Sequence, residues 1–150
     1  MLFAEKPVLV VEDNPDHLEL TVLTLVEQGV QSEIVTAKDG VEALDYLFCQ
    51  GVHLGRDIKR QPAFILLDMK LPRLSGLDVL RRLRANPNTA LVPVIMLTSS
   101  SERSDMVACY QAGASGFVRK PVDFGEFTDK LGAVQHYWLQ VNESIASELP

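Results

Sequence analysis

Residues 64–72 read FILLDMKLP, four apolar residues that end on a carboxylate. A continuous apolar run of this kind marks a strand covered on both faces. Asp68 at its end is costly if buried without a partner, and unremarkable if it faces water. Lys70, two positions further on, is the nearest candidate partner in sequence.

On both sides of this run, apolar clusters alternate with amphipathic stretches. PVLVV (7–11), EIVT (33–36), VPVIML (92–97) and GFV (116–118) read as further strands. Asn14 caps a first helix with Pro15 at its first position. Leu18, Val22, Leu25 and Val26 recur on one face of that helix, and Gly29 closes it. Asp39 caps a second helix that carries Val41, Leu44 and Phe48 inward. Leu77, Leu80 and Leu83 lie on a third helix, which stops before Pro87. Met106, Val107 and Tyr110 mark a fourth, ended by Gly113. Asp123 starts a fifth, with Phe127, Leu131, Val134 and Trp138 on one face. Strands alternating with helices predict an α/β domain, a parallel sheet with helices on both faces.

The chain has 150 residues, enough for one domain with a sizeable core. A net charge of −6 argues against a nucleic-acid surface. The basic cluster RRLR (Arg81, Arg82, Arg84) reads as the solvated face of a short helix. No apolar run approaches the roughly 20 residues that span a bilayer. MLFAEKP, at the start, carries no signal-peptide pattern, so the expected location is cytoplasmic. Cys49 and Cys109 have no metal-ligand spacing and are expected to be free thiols that pack as small hydrophobes.

Parallel strands bring their carboxyl ends to one edge, where ligands bind in such sheets. Glu12 and Asp13 follow the first strand, Asp68 the third, Thr98 the fourth and Lys120 the fifth. Three converging carboxylates repel one another, and a hard divalent cation such as Mg²⁺ is the simplest remedy. Lys120 and the Thr98 hydroxyl suit the oxygens of a phosphoryl group. The set therefore points to a carboxylate that acts as nucleophile towards phosphorus. Taken singly, an acidic residue after a strand is more often a helix cap. Five such groups at successive strand ends favour a site.

LVVEDNP, LLDMKLPRLSG, VIMLTSS and GASGFVRKP, in that order, resemble the signature blocks of receiver domains of two-component response regulators. Thr98 follows Asp68 by 30 positions and Lys120 follows Thr98 by 22, spacings similar to that family's. The resemblance covers about residues 7–140. It implies a flavodoxin-like doubly wound sheet of five strands in the order 2-1-3-4-5. It also implies that Asp68 accepts a phosphoryl group from a sensor histidine kinase. Glu12 and Asp13 would hold Mg²⁺ (or Mn²⁺) with Asp68 and the backbone carbonyl of Lys70, Glu12 directly or through a water. Thr98 and Phe117 match the switch pair, whose hydroxyl and aromatic ring repack around the new charge. The bland readings are a β-branched strand residue and a core aromatic. Lys70 and Ser100 occupy the positions that tune phosphoryl lifetime; for Lys70 a solvated side chain with only its carbonyl engaged is favoured. By the same resemblance the protein is a phosphoacceptor that assists its own phosphorylation and dephosphorylation, not a conventional enzyme.

Asp68 follows Asp13 by 55 positions, longer than the family's usual spacing, and the excess falls around GVHLGRDIKRQP (51–62). Small receivers partnered with bacterial and cyanobacterial phytochromes carry a similar extension and an aromatic end similar to HYWLQV. This implies a phytochrome as the kinase, and signalling by protein contact, because only NESIASELP follows the last helix. The face of the fourth helix, fifth strand and fifth helix, or the tail at 136–150, is the expected homodimer surface. Tyr110, Phe117, Tyr137 and Trp138 fall on or near it, and core packing is expected for at least half of them. His17, His53 and His136 lie apart and read as surface or helix residues. GASG (113–116) lacks the phosphate-loop lysine and reads as a helix stop and turn. Two rival readings remain: a phosphorylation-independent adaptor, and a haloacid-dehalogenase-like phosphatase. The latter lacks a second aspartate where Lys70 stands.

Overall fold

The structure, a computed structural model, describes residues 6–143. Five parallel strands lie in the order β2-β1-β3-β4-β5. They are β1 (Val8–Val11), β2 (Ile34–Ala37), β3 (Phe64–Leu67), β4 (Val94–Thr98) and β5 (Gly116–Arg119). Between and after them come α1 (Pro15–Glu27), α2 (Gly40–Leu47), α3 (Gly76–Ala85), α4 (Arg103–Gln111) and α5 (Phe124–His136). The doubly wound fold and its strand order are those expected from the sequence.

The alternation of side chains along each strand splits the core in two. Leu9, Val11, Ile65, Leu67, Val94 and Met96 face α2, α3 and α4, where they meet Leu44, Leu47, Val79, Leu80, Leu83 and Cys109. Val8, Val10, Phe64, Leu66, Ile95 and Leu97 face the other way, onto Leu25, Phe127 and Leu131 of α1 and α5. Strand β3 is central, paired with β1 on one side and β4 on the other, and all four of its residues are buried.

Strand and helix boundaries moved little, whereas the inward faces of some helices moved more. Strand β2 begins at Ile34 rather than residue 33, and β4 runs 94–98 rather than 92–97. Pro93 has no N–H for the ladder, yet its carbonyl accepts from Ile65 N–H at 2.9 Å. On α1, Leu18 and Leu25 pack inward, but Val26 is exposed and Val22 only half-buried. Thr21 and Thr24 take the inward positions instead. Each satisfies its hydroxyl on the carbonyl four residues back, Thr21 on His17 and Thr24 on Leu20. A threonine paired in this way can be buried almost like valine, which conceals the face from a hydropathy reading. On α4 the buried residue is Cys109, while Val107 and Tyr110 are exposed.

The RRLR reading also needs correction at one position. Arg81 and Arg82 are exposed, but Arg84 turns inward. Its Nε donates to Gly113 O at 2.9 Å, and its Nη1 donates to Ala90 O at 3.0 Å and Val92 O at 2.7 Å. Burial draws its pKa below the usual arginine range. One guanidinium thus ties the end of α3 to the approach to β4 and to the turn after α4. That turn is GASG, a helix stop at Gly113 (φ 102°) as expected, with Ser115 Oγ accepting from Val94 N–H at 3.0 Å.

The 51–62 segment is an ordered excursion. The Arg56 guanidinium lies 3.8 Å from the Tyr46 ring centroid and donates twice to Tyr46 O, at 3.1 and 2.9 Å, while Gln61 Nε2 reaches Leu47 O at 2.9 Å. After α5, a single π-helical turn (Tyr137–Val141) turns Trp138 towards the core and leaves Tyr137 exposed, with the two rings edge to face. Phe117 and Trp138 pack inward and Tyr110 and Tyr137 do not, matching the expected half. The tail beyond residue 143 lies outside the described residues. Both cysteines are free thiols, Cys109 buried and Cys49 half-buried. Among the described residues no helix is long and apolar enough to cross a membrane.

Candidate functional site

The carboxyl ends of β1, β3, β4 and β5 meet as the alternation requires. Backbone hydrogen bonds fix their heights: Asp68 N–H donates to Val11 O at 3.1 Å, and Lys120 N–H donates to Thr98 O at 2.8 Å. Glu12, Asp13 and Asp68 each bring a carboxylate oxygen within 4.8 Å of the other two. Glu12 and Asp68 are buried and Asp13 is exposed, so the cluster opens to solvent on one side. Asn14 N–H donates to Glu12 Oε2 at 3.2 Å, and Lys70 N–H donates to Asp68 Oδ1 at 3.1 Å.

The Lys120 ammonium sits between the two buried carboxylates, on Glu12 Oε1 and at 2.9 Å from Asp68 Oδ2. Lys120, not Lys70, is therefore the charge partner of Asp68, and the Lys70 side chain is exposed. Burial raises the Glu12 pKa above the usual carboxylate value and the neighbouring Asp68 charge adds to this, against the opposing hydrogen bond from Lys120. Burial alone would lower the Lys120 pKa, but its hydrogen bonds to Glu12 and Asp68 outweigh that and hold it above the usual lysine value. The repulsion read from the sequence is thus already relieved in part by the lysine. A divalent cation is not the sole remedy. Three carboxylates with one open side nonetheless suit a hard ion that prefers oxygen ligands.

Thr98 is fully buried at the end of β4, and its Oγ1 accepts from Ser100 N–H at 3.3 Å. Phe117 pairs with Met96 across β4 and β5 and packs half-buried against the α2–α4 side of the core. Ser100 points into the loop that leads to α4: its Oγ donates to Asp105 Oδ2 at 2.5 Å and accepts from Glu102 N–H at 3.3 Å. Two contributors escaped the sequence reading. Gly76, the first residue of α3, approaches so closely that a Cβ there would lie 2.0 Å from Asp68 O. His17, read as a surface residue, brings Nδ1 to 3.4 Å from Lys120 Nζ. Its position three residues after the Asn14 cap was visible in the sequence, but nothing there linked it to residue 120.

Carboxylates, lysine and buried threonine at the carboxyl edge of a 2-1-3-4-5 parallel sheet define a receiver. Residues 8–132 match the Response regulator receiver domain family, and the chain belongs to it. A probable methanogenesis regulatory protein, FilR2 of Methanothrix harundinacea, is 32% identical, with 96% of this chain and 92% of that protein covered. The phosphorylated cyanobacterial phytochrome response regulator RcpA is 28% identical, with a TM-score of 0.86 over 93% of this chain and 98% of that one. The Mn²⁺-bound response regulator Rcp1, a protein of Synechocystis, is 27% identical, with a TM-score of 0.84 over 92% and 97%. The chain is a response regulator receiver of phosphorelay signalling, and its partner class is the histidine kinase. This membership displaces the haloacid-dehalogenase reading.

Proposed function

We propose that Asp68 is the phosphoacceptor of this receiver. The observation that carries the reading is the Asp68 carboxylate held between the Lys120 ammonium and the acidic cluster it shares with Glu12 and Asp13. A carboxylate oxygen of Asp68 bonds to phosphorus as the bond from phosphorus to the kinase's imidazole nitrogen breaks, and that nitrogen keeps the electron pair. Lys120 is placed to pass from the carboxylate to the phosphoryl oxygens and to balance their charge. Mg²⁺ or Mn²⁺, held by Glu12, Asp13, Asp68 and the Lys70 carbonyl, would neutralise charge on the transferring group. The Thr98 hydroxyl and Phe117 ring form the switch, and Lys70 and Ser100 tune how long the phosphoryl group survives. The same site assists both gain and hydrolytic loss of the group.

The receiver fills the chain as one domain, with a core at about 7–140, an extension at 51–62 and an end segment at 136–150. Likeness to the phytochrome response regulator RcpA supports a phytochrome as the kinase, and the net charge of −6 supports output through protein contact without nucleic acid; the setting is cytoplasmic, away from a membrane. Exposed Tyr110 and Tyr137, on α4 and just past α5, support a homodimer on that face. Gel filtration with and without residues 136–150 tests the dimer, and an unchanged monomer in both would end that idea. The acceptor is tested by incubation with Mg²⁺ and acetyl phosphate, followed by intact mass. One phosphoryl addition is expected in the wild type and none in Asp68→Ala or with a chelator; addition that persists in Asp68→Ala refutes the assignment.

A further inference from the structure

The ammonium of Lys120 has three N–H donors and no lone pair. Two of them meet Glu12 and Asp68, and the third direction ends on His17 Nδ1 at 3.4 Å. The lysine can only donate, so a hydrogen bond across this pair has Nδ1 as acceptor and the ring proton on Nε2; the same Nδ1 lies 3.8 Å from Glu12 Oε1. The backbone of His17, from which the imidazole projects, is held on both sides. His17 N–H donates to Asn14 Oδ1 at 3.1 Å in the helix cap, and His17 O accepts from Thr21 Oγ1 at 2.8 Å. Its side chain is 51% exposed and lines, with Lys120, Ser99, Pro121 and Phe124, a cavity of about 420 Å³ that opens beside Asp68's partner lysine.

We propose that His17 is a positioning residue for phosphoryl acceptance, holding the Lys120 ammonium at the mouth of the carboxylate cluster. This rests on the reading of Asp68 as acceptor. The two carboxylate partners of Lys120 are the groups whose oxygens become engaged during transfer, one by the new bond to phosphorus and both by any cation. His17 is the remaining partner, and it is uncharged in the accepting form. It keeps the ammonium in place while the carboxylates change partners, so that phosphoryl oxygens find the donor already oriented.

The test compares wild type, His17→Ala and His17→Asn in Mg²⁺ with varied acetyl phosphate, reading phosphoryl addition by intact mass over time. Asparagine is chosen because its side-chain oxygen can stand near the position of Nδ1. The expected result is a saturating rate on the order of tenfold lower in His17→Ala, with half-saturation by acetyl phosphate and by Mg²⁺ unchanged. His17→Asn should recover most of that rate, and thermal unfolding of all three should coincide. Equal rates in wild type and His17→Ala would overturn the proposal, as would an equal loss in both variants. So would a loss explained by weaker Mg²⁺ half-saturation, which would make His17 part of the cation site. A wild type that takes up no phosphoryl group would instead remove the acceptor assignment, and this inference with it.

Discussion

Gly76→Ala probes how tightly the acceptor's backbone is held. Gly76 opens α3, its N–H donates to Met69 O at 2.9 Å, and Ser75 caps the helix through Asp78 N–H. A Cβ added there would meet Asp68 O at 2.0 Å, and Asp68 C and Met69 Cα at 2.9 Å. All three are backbone atoms, so no side chain can swing aside. Reaching even a tight contact of 3.0 Å requires about 1 Å of movement. Strand β3 cannot readily supply it, being hydrogen-bonded on both sides, so the start of α3 must lift from the sheet against buried Val79, Leu80 and Leu83. Overpacking of this kind costs about 3 kcal/mol, the upper part of the usual range, because the clash is with backbone. The helical preference of alanine offsets less than about 1 kcal/mol of that.

Urea unfolding followed by far-UV circular dichroism, with and without Mg²⁺, measures the loss by linear extrapolation. At this chain length a loss of that size lowers Tm by about 6–12 °C. The residual strain falls on Asp68 and Met69, so phosphoryl addition from acetyl phosphate should slow on the order of tenfold. Gly55→Ala is the control: its Cβ meets nothing within 4 Å, and its stability should stay within about 0.5 kcal/mol of wild type. A Gly76→Ala protein as stable as that control would refute the close approach of α3 to the acceptor.

The tether at Arg84 and the cation at Lys120 give two further tests. Arg84→Met strips charged donors from Gly113 O, Ala90 O and Val92 O and should cost about 3 kcal/mol by urea unfolding, allowing for the desolvation the half-buried guanidinium no longer bears. Phosphoryl addition should remain within about twofold, since no phosphoryl contact is removed; a loss below about 1 kcal/mol would show the three bonds to be idle. Lys120→Met leaves Glu12 and Asp68 without their cation, so Mn²⁺ should bind about tenfold more tightly by calorimetry while phosphoryl addition slows. Weaker Mn²⁺ binding in that variant would contradict competition between lysine and metal for the same oxygens.

Much of this protein is decided by local chemistry and so can be read along the chain. A strand covered on both faces needs an unbroken apolar run, which is why FILL and VLVV declare themselves. Asn14, Asp39 and Asp123 cap helices within a few residues of their own positions, so their bonds need no distant partner. Once parallel alternation is recognised, strand ends must share an edge, and Glu12, Asp13, Asp68, Thr98 and Lys120 follow from that rule.

What lay outside the reading depends on contacts between distant segments. Thr21 and Thr24 look polar until their hydroxyls are seen to be satisfied within the helix. Arg84 looks solvated because its three carbonyl partners lie 6, 8 and 29 residues away. By contrast, the solvated Lys70 side chain and the pairing of Asp68 with Lys120, 52 residues away, agree with the reading of the strand ends. Helical twist and sheet order turn His17 towards Lys120 and press Gly76 against Asp68. Composition and spacing place the reacting groups on one edge. Only the packing of α1 and α3 against that edge decides which neighbours hold them there, because a side chain's partner is set by where its element docks.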